Sequence, residues 1–265
     1  MKSRIFDGVK CIFYALYASI NEGYAYHASS LTYSFTMILG SLLMFSSFFA
    51  SFLPFFDFNK LISYAVLLFP EQTEKVILEI LKVYQHRASG SAVSLLLAYF
   101  FSVGFSKSLH RAFLYILSEA YSEKEWVFWI KTPALIIIYT LTLSLLFLIG
   151  SFFKTHVGSY TTHFFYIINF FSLWILALFI YALFLPKKYA FRDICAGATF
   201  TSLSLILLNK IFSLFVVKFV TLNPLYGFMG SVLLFFIWIN LSFTALLAGS
   251  KYIQLMEEKK QKDSI

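Results

Sequence analysis

The sequence predicts an all-α polytopic membrane protein, with six transmembrane helices plus amphipathic interfacial helices in one integral membrane domain over residues 1–265. Three observations predict it. The 265 residues are 60% hydrophobic, 21% aromatic and only 13% charged, outside the balance of soluble domains. The apolar residues fall in long runs rather than amphipathic patterns. The clearest run, Ser231 to Gly249, has no ionisable side chain and at helical rise covers roughly 28 Å, close to the hydrocarbon thickness of a bilayer.

In residues 1–28, Lys2, Arg4 and Lys10 accompany a moderately apolar run. Ile5, Val9, Ile12, Phe13, Leu16 and Ile20 recur at three- and four-residue steps, with Asp7, Lys10, Tyr14 and Asn21 largely opposite. That pattern predicts an interfacial helix on the membrane rather than a cleaved signal peptide, since no small-residue cleavage site follows. The first span is expected over about 31–52, with Gly40 and Ser41 midway, where small residues allow another helix to approach. Pro54 and Asp57 end it. Leu61 to Phe69 is too short to span. Beyond Pro70, Val76, Ile77, Ile80, Leu81 and Tyr84 mark one face of a second surface helix.

The second span is expected over about 92–109, closed by Lys107, His110 and Arg111. Phe113 to Ile130 mixes apolar and charged residues as an interfacial helix would, with Trp126 and Trp129 at headgroup level. The third span, about 132–153, has Pro133 in its expected first turn, where a missing N–H costs little. The fourth is expected over about 164–185, before Pro186, Lys187 and Lys188, and the fifth over about 193–217. The sixth, about 231–249, follows Asn223-Pro224, Tyr226-Gly227 and Met229-Gly230, and the charged tail 251–265 is expected to fray.

Charge sets the expected orientation. Twice as many Lys and Arg fall on the side of the termini (among them Lys107, Arg111, Lys131, Arg192 and Lys260) as on the other, so both termini are expected to be cytoplasmic. The formal charge of +8 then reflects membrane topology and headgroup contact, and no nucleic-acid partner is expected. Cys11 and Cys195 fall on that reducing side or just inside it, with neither a disulfide framework nor zinc spacing.

The chain resembles the YihY/BrkB family of bacterial inner-membrane proteins in several ordered blocks. These are Ala28 to Ser41; Ser102-Val103-Gly104 through Leu109-His110-Arg111-Ala112; Leu185-Pro186-Lys187-Lys188 with Phe191-Arg192-Asp193 and Ala196-Gly197-Ala198; Leu208 to Phe212; and Tyr226-Gly227 with Gly230 through Leu247-Ala248-Gly249. The resemblance implies six spans with cytoplasmic ends in the inner membrane. The chain departs from the family pattern with Ala196-Gly197 where Pro-Gly is common, Ser250-Lys251 where an acidic residue is common, and Gly40-Ser41 where a first-span proline is often seen. The family has also carried the label of a transfer-RNA processing ribonuclease, widely treated as a misassignment.

A nuclease needs metal-held water or a general acid and base. The five histidines, His27, His86, His110, His156 and His163, are scattered, and no HExxH, paired-His or DxD pattern occurs. His156 and His163 share an outer loop and read as ordinary loop histidines beside the alternative of a metal pair. With no Walker motif or dinucleotide fingerprint, no catalytic residue, metal or cofactor is expected.

Polar residues inside spans are better candidates, because leaving them in lipid costs several kcal/mol unless a partner is found. Asn209, Lys210 and Asn240 are singled out as the exceptions to apolar spans. Lys210, roughly 25 Å of helix beyond Asp193, either snorkels to the outer interface or faces a groove. Asn240 is expected to bond another helix rather than a substrate. Tyr226, Gly227 and Gly230 form either a plain turn into a helix or an unwound entry that exposes backbone to a substrate. Arg192 and Asp193 are expected to cap the fifth span. The scarcity of midplane charge argues against an ion-coupled pump and for transport or handling of a lipid or other amphipathic molecule. The alternatives are the membrane-bound nuclease of the older label and a non-catalytic envelope or assembly factor.

Overall fold

The computed structural model describes residues 2–51, 91–119, 123–156, 161–186, 189–220 and 227–263. Among these residues seven helices occur and no strand: α1 (Lys2–Asn21), α2 (Tyr24–Ser51), α3 (Ser91–Ile116), α4 (Glu125–His156), α5 (Thr161–Phe184), α6 (Phe191–Val220) and α7 (Gly227–Asp263). The expected surface helix between Pro70 and Tyr84 falls outside the described residues.

Apolar runs dictate these helices because a backbone in lipid must satisfy its own hydrogen bonds. Three helices are long and apolar enough to cross a membrane among the described residues, over Ile167–Phe184, Phe191–Leu214 and Val232–Lys262. The positions of α2, α3 and α4 coincide with the other three expected spans.

The helices from α2 to α7 form a ring. Each packs against the next in the chain, and α7 closes back on α2, while α1 lies outside against α7 and α2. Large apolar side chains face outward around the ring, among them Phe100, Ile137, Phe171, Leu207 and Leu233. A water-soluble bundle of this size would not present so broad an apolar belt.

Among the described residues, the buried core gathers at one end of the ring, where α2 begins, α3 meets α4, α5 meets α6, and the C-terminal half of α7 lies. Leu31, Leu109, Phe113, Tyr181, Phe184, Ala198, Leu247 and Ile253 are all buried there.

Four local expectations are corrected. The helix expected through residue 28 breaks at Gly23, whose φ of 73° suits glycine and ends α1. The first long helix therefore starts at Tyr24. The interfacial helix expected over Phe113 to Ile130 does not form as one element, because α3 stops at Ile116 and α4 starts at Glu125. The stop is a Schellman motif, in which Glu119 N–H donates to the Leu114 carbonyl (3.0 Å) and Ser118 N–H to that of Tyr115 (3.2 Å). Ser118, at φ 52°, takes the left-handed place that glycine usually fills.

Pro133 lies inside α4 rather than in its first turn. A proline there cannot donate to the carbonyl four residues back, that of Trp129. The Tyr99 hydroxyl of α3 donates to that oxygen instead, at 2.8 Å. Finally, the tail expected to fray continues α7 to Asp263. Tyr252 and Ile253 are buried, and Leu255 and Met256 pack with Ala15 of α1 and Phe200 of α6, so this stretch has an apolar stripe with something to cover.

Candidate functional site: a central apolar cavity

The ring surrounds a partly open cavity of about 220 Å3 to which all six helices contribute, through Phe35 of α2, Phe105 of α3, Leu135 of α4, Ile180 of α5, Ile206 of α6 and Phe243 of α7 among others. Phe35, Phe105 and Phe243 form a triad of rings from three helices, with centroids 5.5–6.0 Å apart. That spacing is typical of tilted aromatic packing and stiffens this wall. Among the described residues no lining side chain is charged.

Polarity enters at few points. Ser242 is satisfied within α7, its hydroxyl donating to the Trp238 carbonyl at 2.8 Å. Asn169 of α5 and Asn209 of α6 also line the cavity. The antiparallel register of these helices is set by Tyr181 bonding Thr201 at 2.6 Å and Trp174 Nε1 donating to Thr199 at 3.0 Å. That register brings Asn169 level with Asn209, roughly 22 Å of helix from Phe184. Asn169 Oδ1 is buried and has no hydrogen-bond partner.

Phe184 and Leu246 close the cavity at its other end. Beneath them a polar pin joins three helices: the Tyr181 hydroxyl donates to the Leu246 carbonyl of α7 (2.6 Å) and meets Thr201 Oγ1 of α6 (2.6 Å). Gly249 makes room for it. A Cβ at that position would come within 2.0 Å of Thr201 Oγ1 and 2.2 Å of the Tyr181 hydroxyl. Gly197 is similarly filled in, facing Ile253 at 2.3 Å. The small residues of the Ala196-Gly197-Ala198 and Leu247-Ala248-Gly249 blocks are thus the contact surface of α6 on α7.

His110, fully buried, joins this end to the loops. Its Nδ1 lies 3.0 Å from the Phe184 carbonyl at the end of α5, and its Nε2 accepts the Glu123 N–H at 3.4 Å. A carbonyl only accepts, so Nδ1 is the donor in the contact with Phe184. Glu123 in turn takes Lys131 Nζ on both carboxylate oxygens, at 2.6 and 2.7 Å. Burial pushes the Tyr189 hydroxyl upward from its ordinary range, helped by the charges of Glu257, Glu119 and Glu258.

The sequence-derived candidates are not gathered in one place. Asn209 lines the cavity. Lys210 is exposed on α6, turned off that wall. Asn240 donates from Nδ2 to Ser29 Oγ of α2 at 2.9 Å, tying α7 to α2. Tyr226 lies outside the described residues, while Gly227 and Gly230 fall in the first turn of α7. Arg192 is exposed. Asp193 sits in the first turn of α6, buried, with Oδ1 paired to Lys260 Nζ of α7 at 2.5 Å. Asn169 carries the same sequence signal as Asn209. It is an amide in an otherwise apolar span. Tyr181 and His110 gave no comparable signal, since a tyrosine at a span end reads as an interface anchor and a lone histidine as ordinary.

Among the described residues no group of three or more His, Cys, Asp or Glu side chains is placed to hold a metal ion. The side chains of His156 and His163 fall outside the description.

A ring of long apolar helices with an apolar exterior, around a cavity whose described lining is uncharged, defines a polytopic helical membrane protein. The chain belongs to the BrkB family: the family model described as "Virulence factor BrkB" matches residues 17–264. It is similar to a UPF0761 membrane protein of Glaesserella parasuis serovar 5 (strain SH0165), 24% identical over 115 residues, covering 43% of this chain and 41% of that one. It is also similar to YfkH of Bacillus subtilis (strain 168), a protein named as ribonuclease-like, 28% identical over 75 residues, covering 28% of this chain and 27% of that one. The matched stretches therefore span well under half the length of these relatives. No solved structure matches.

Proposed function

We propose that this protein binds and moves a lipid or lipid-linked amphipathic molecule, acting in the bacterial inner membrane with six membrane crossings, both termini in the cytoplasm and the packed end of the ring on that side. The cavity carries this reading: it is lined by all six ring helices and, among the described residues, holds no charged side chain. An ion or a polar metabolite would need buried charges or a dense set of hydrogen-bonding groups to replace its hydration. An acyl chain needs neither, and an apolar wall suits it. The orientation is supported by Lys107, Arg111, Lys131, Arg192 and Lys260 gathering at the packed end. Arg192 and Asp193 serve there as the start of α6, Asp193 favouring the helix N-terminus electrostatically.

The test is transfer of fluorescent envelope-lipid analogues between leaflets of proteoliposomes. Wild-type protein is expected to accelerate transfer of at least one lipid class. Ile206→Trp, which fills the cavity, is expected to abolish that acceleration while the protein still folds. Absence of transfer with every envelope lipid tried removes the reading.

A further inference from the structure

We infer that the cavity selects an acyl chain bearing an uncharged hydroxyl head, which is read by Asn169 and Asn209; this rests on the lipid reading above and narrows it. Within the wall, the two amides stand level with one another on adjacent antiparallel helices. The opposite end, at Phe184 and Leu246, is apolar. The cavity is therefore itself amphipathic, with one polar end and an apolar length of roughly 22 Å of helix between Asn169 and Phe184.

The chemistry of the head follows from what the polar end offers. Asn169 Oδ1 is buried without a partner, and a buried acceptor left unpaired is costly. A ligand that supplies a donor removes that cost. Since the lining has no Lys, Arg or His among the described residues, a phosphate or carboxylate head would enter there with its charge uncompensated. A hydroxyl both donates and accepts, so it satisfies Asn169 and takes an N–H from an amide of the pair in return. A methyl ester only accepts and leaves Oδ1 as it was. The small volume, about 220 Å3, suits part of one chain rather than a whole two-chain lipid. The class that fits is a single-chain neutral lipid such as a monoacylglycerol or a long-chain alcohol.

Trp238 lines the cavity and reports on occupancy. Full-length protein in nanodiscs is titrated with brominated-chain probes, namely a monoacylglycerol, its methyl ester counterpart and the free fatty acid, and quenching of tryptophan fluorescence is read with Trp238→Phe as the blank. The monoacylglycerol is expected to half-saturate at a mole fraction at least about tenfold below either of the others, the factor a satisfied buried acceptor supplies. Asn169→Leu is expected to remove this preference by weakening the monoacylglycerol alone, and Asn169→Ala, which adds no bulk, to do the same. If the three probes bind alike in the wild type, or the Asn169 variants weaken all three equally, the head selection is wrong while the cavity remains a lipid site. If no probe quenches Trp238, the lipid reading of the cavity falls along with it.

Discussion

The two ends of the ring are built from the same helices and differ in what their polar groups do. At the packed end, Tyr181, Thr201 and His110 spend their hydrogen bonds on other helices and loops, Asp193 holds Lys260 through one carboxylate oxygen, and glycines let α6 and α7 close in. At the cavity, the helices stand apart, the wall is apolar, and the amide oxygen of Asn169 is unspent. The difference separates holding from binding. A polar group that staples the bundle is sealed in by its neighbours even where one atom, such as Asp193 Oδ2, stays unpaired, whereas one facing a cavity without a partner is within reach of a ligand.

The sharpest way to break the comparison is at Gly249. Its missing Cβ is occupied by the Tyr181 hydroxyl and Thr201 Oγ1, so Gly249→Val must push the pin apart. Overpacking and the loss of two buried hydrogen bonds together are expected to cost about 3 kcal/mol or more. Thermal unfolding in detergent is expected to show a large drop in midpoint or failure to accumulate folded protein. A midpoint within a few degrees of wild type would mean that the pin is not what holds α5, α6 and α7 together.

The contrast also shows what could be read from sequence. Helix positions follow from apolar runs, and an uninterrupted run such as that of α7 has only one solution in lipid. Helix ends were harder. Gly23 and Ser118 adopt left-handed conformations within stretches whose apolar pattern runs on, and period alone does not mark such breaks. The C-terminal stretch looked like a solvated tail because its charges are visible in sequence, but the partner of Tyr252 and Ile253 is distant in the chain. For the site, Asn209 was legible as a polar residue in a span. Its level with Asn169 depends on the register of two helices, which no local pattern encodes.

A smaller break is expected at the ion pair of the packed end. Asp193 is buried and paired with Lys260, whose side chain is 44% exposed. Lys260→Met keeps the apolar stem and leaves the buried carboxylate without its cation. Removing one partner of a fully buried pair costs about 3–5 kcal/mol. The exposure of the lysine lowers that, since water reaches this pair, to on the order of 1–2 kcal/mol. Half-saturation of the lipid probes is expected to stay as in wild type, because this pair does not line the cavity. A loss of probe binding matching the loss of stability would show that the two ends do not act separately.

Tyr99 and Pro133 give a finer measurement. Tyr99→Phe removes the hydroxyl that satisfies the Trp129 carbonyl and is expected to cost about 1 kcal/mol. In a Pro133→Ala background the alanine N–H takes over that carbonyl. The cost of Tyr99→Phe is then expected to shrink to a few tenths of a kcal/mol, a coupling that a double-mutant cycle measures. Additive costs would mean that the hydroxyl acts independently of the proline.

The smallest effect expected is a gain. Ser118 holds a left-handed conformation at the end of α3, at φ 52°, with an exposed side chain. An L-residue pays roughly 1–2 kcal/mol for that conformation and glycine does not, although glycine gives up more freedom on folding. The net for Ser118→Gly is a stabilisation of about 0.5–1 kcal/mol, which thermal unfolding reads as a midpoint a few degrees higher. The Schellman bonds from Glu119 and Ser118 are made by backbone, so the substitution keeps them. Because this turn belongs to the packed end, the tightened variant is expected to bind monoacylglycerol as the wild type does. Weaker binding in a more stable protein would instead mean that the cavity depends on slack at the opposite end, with the holding region also setting how far the binding region opens.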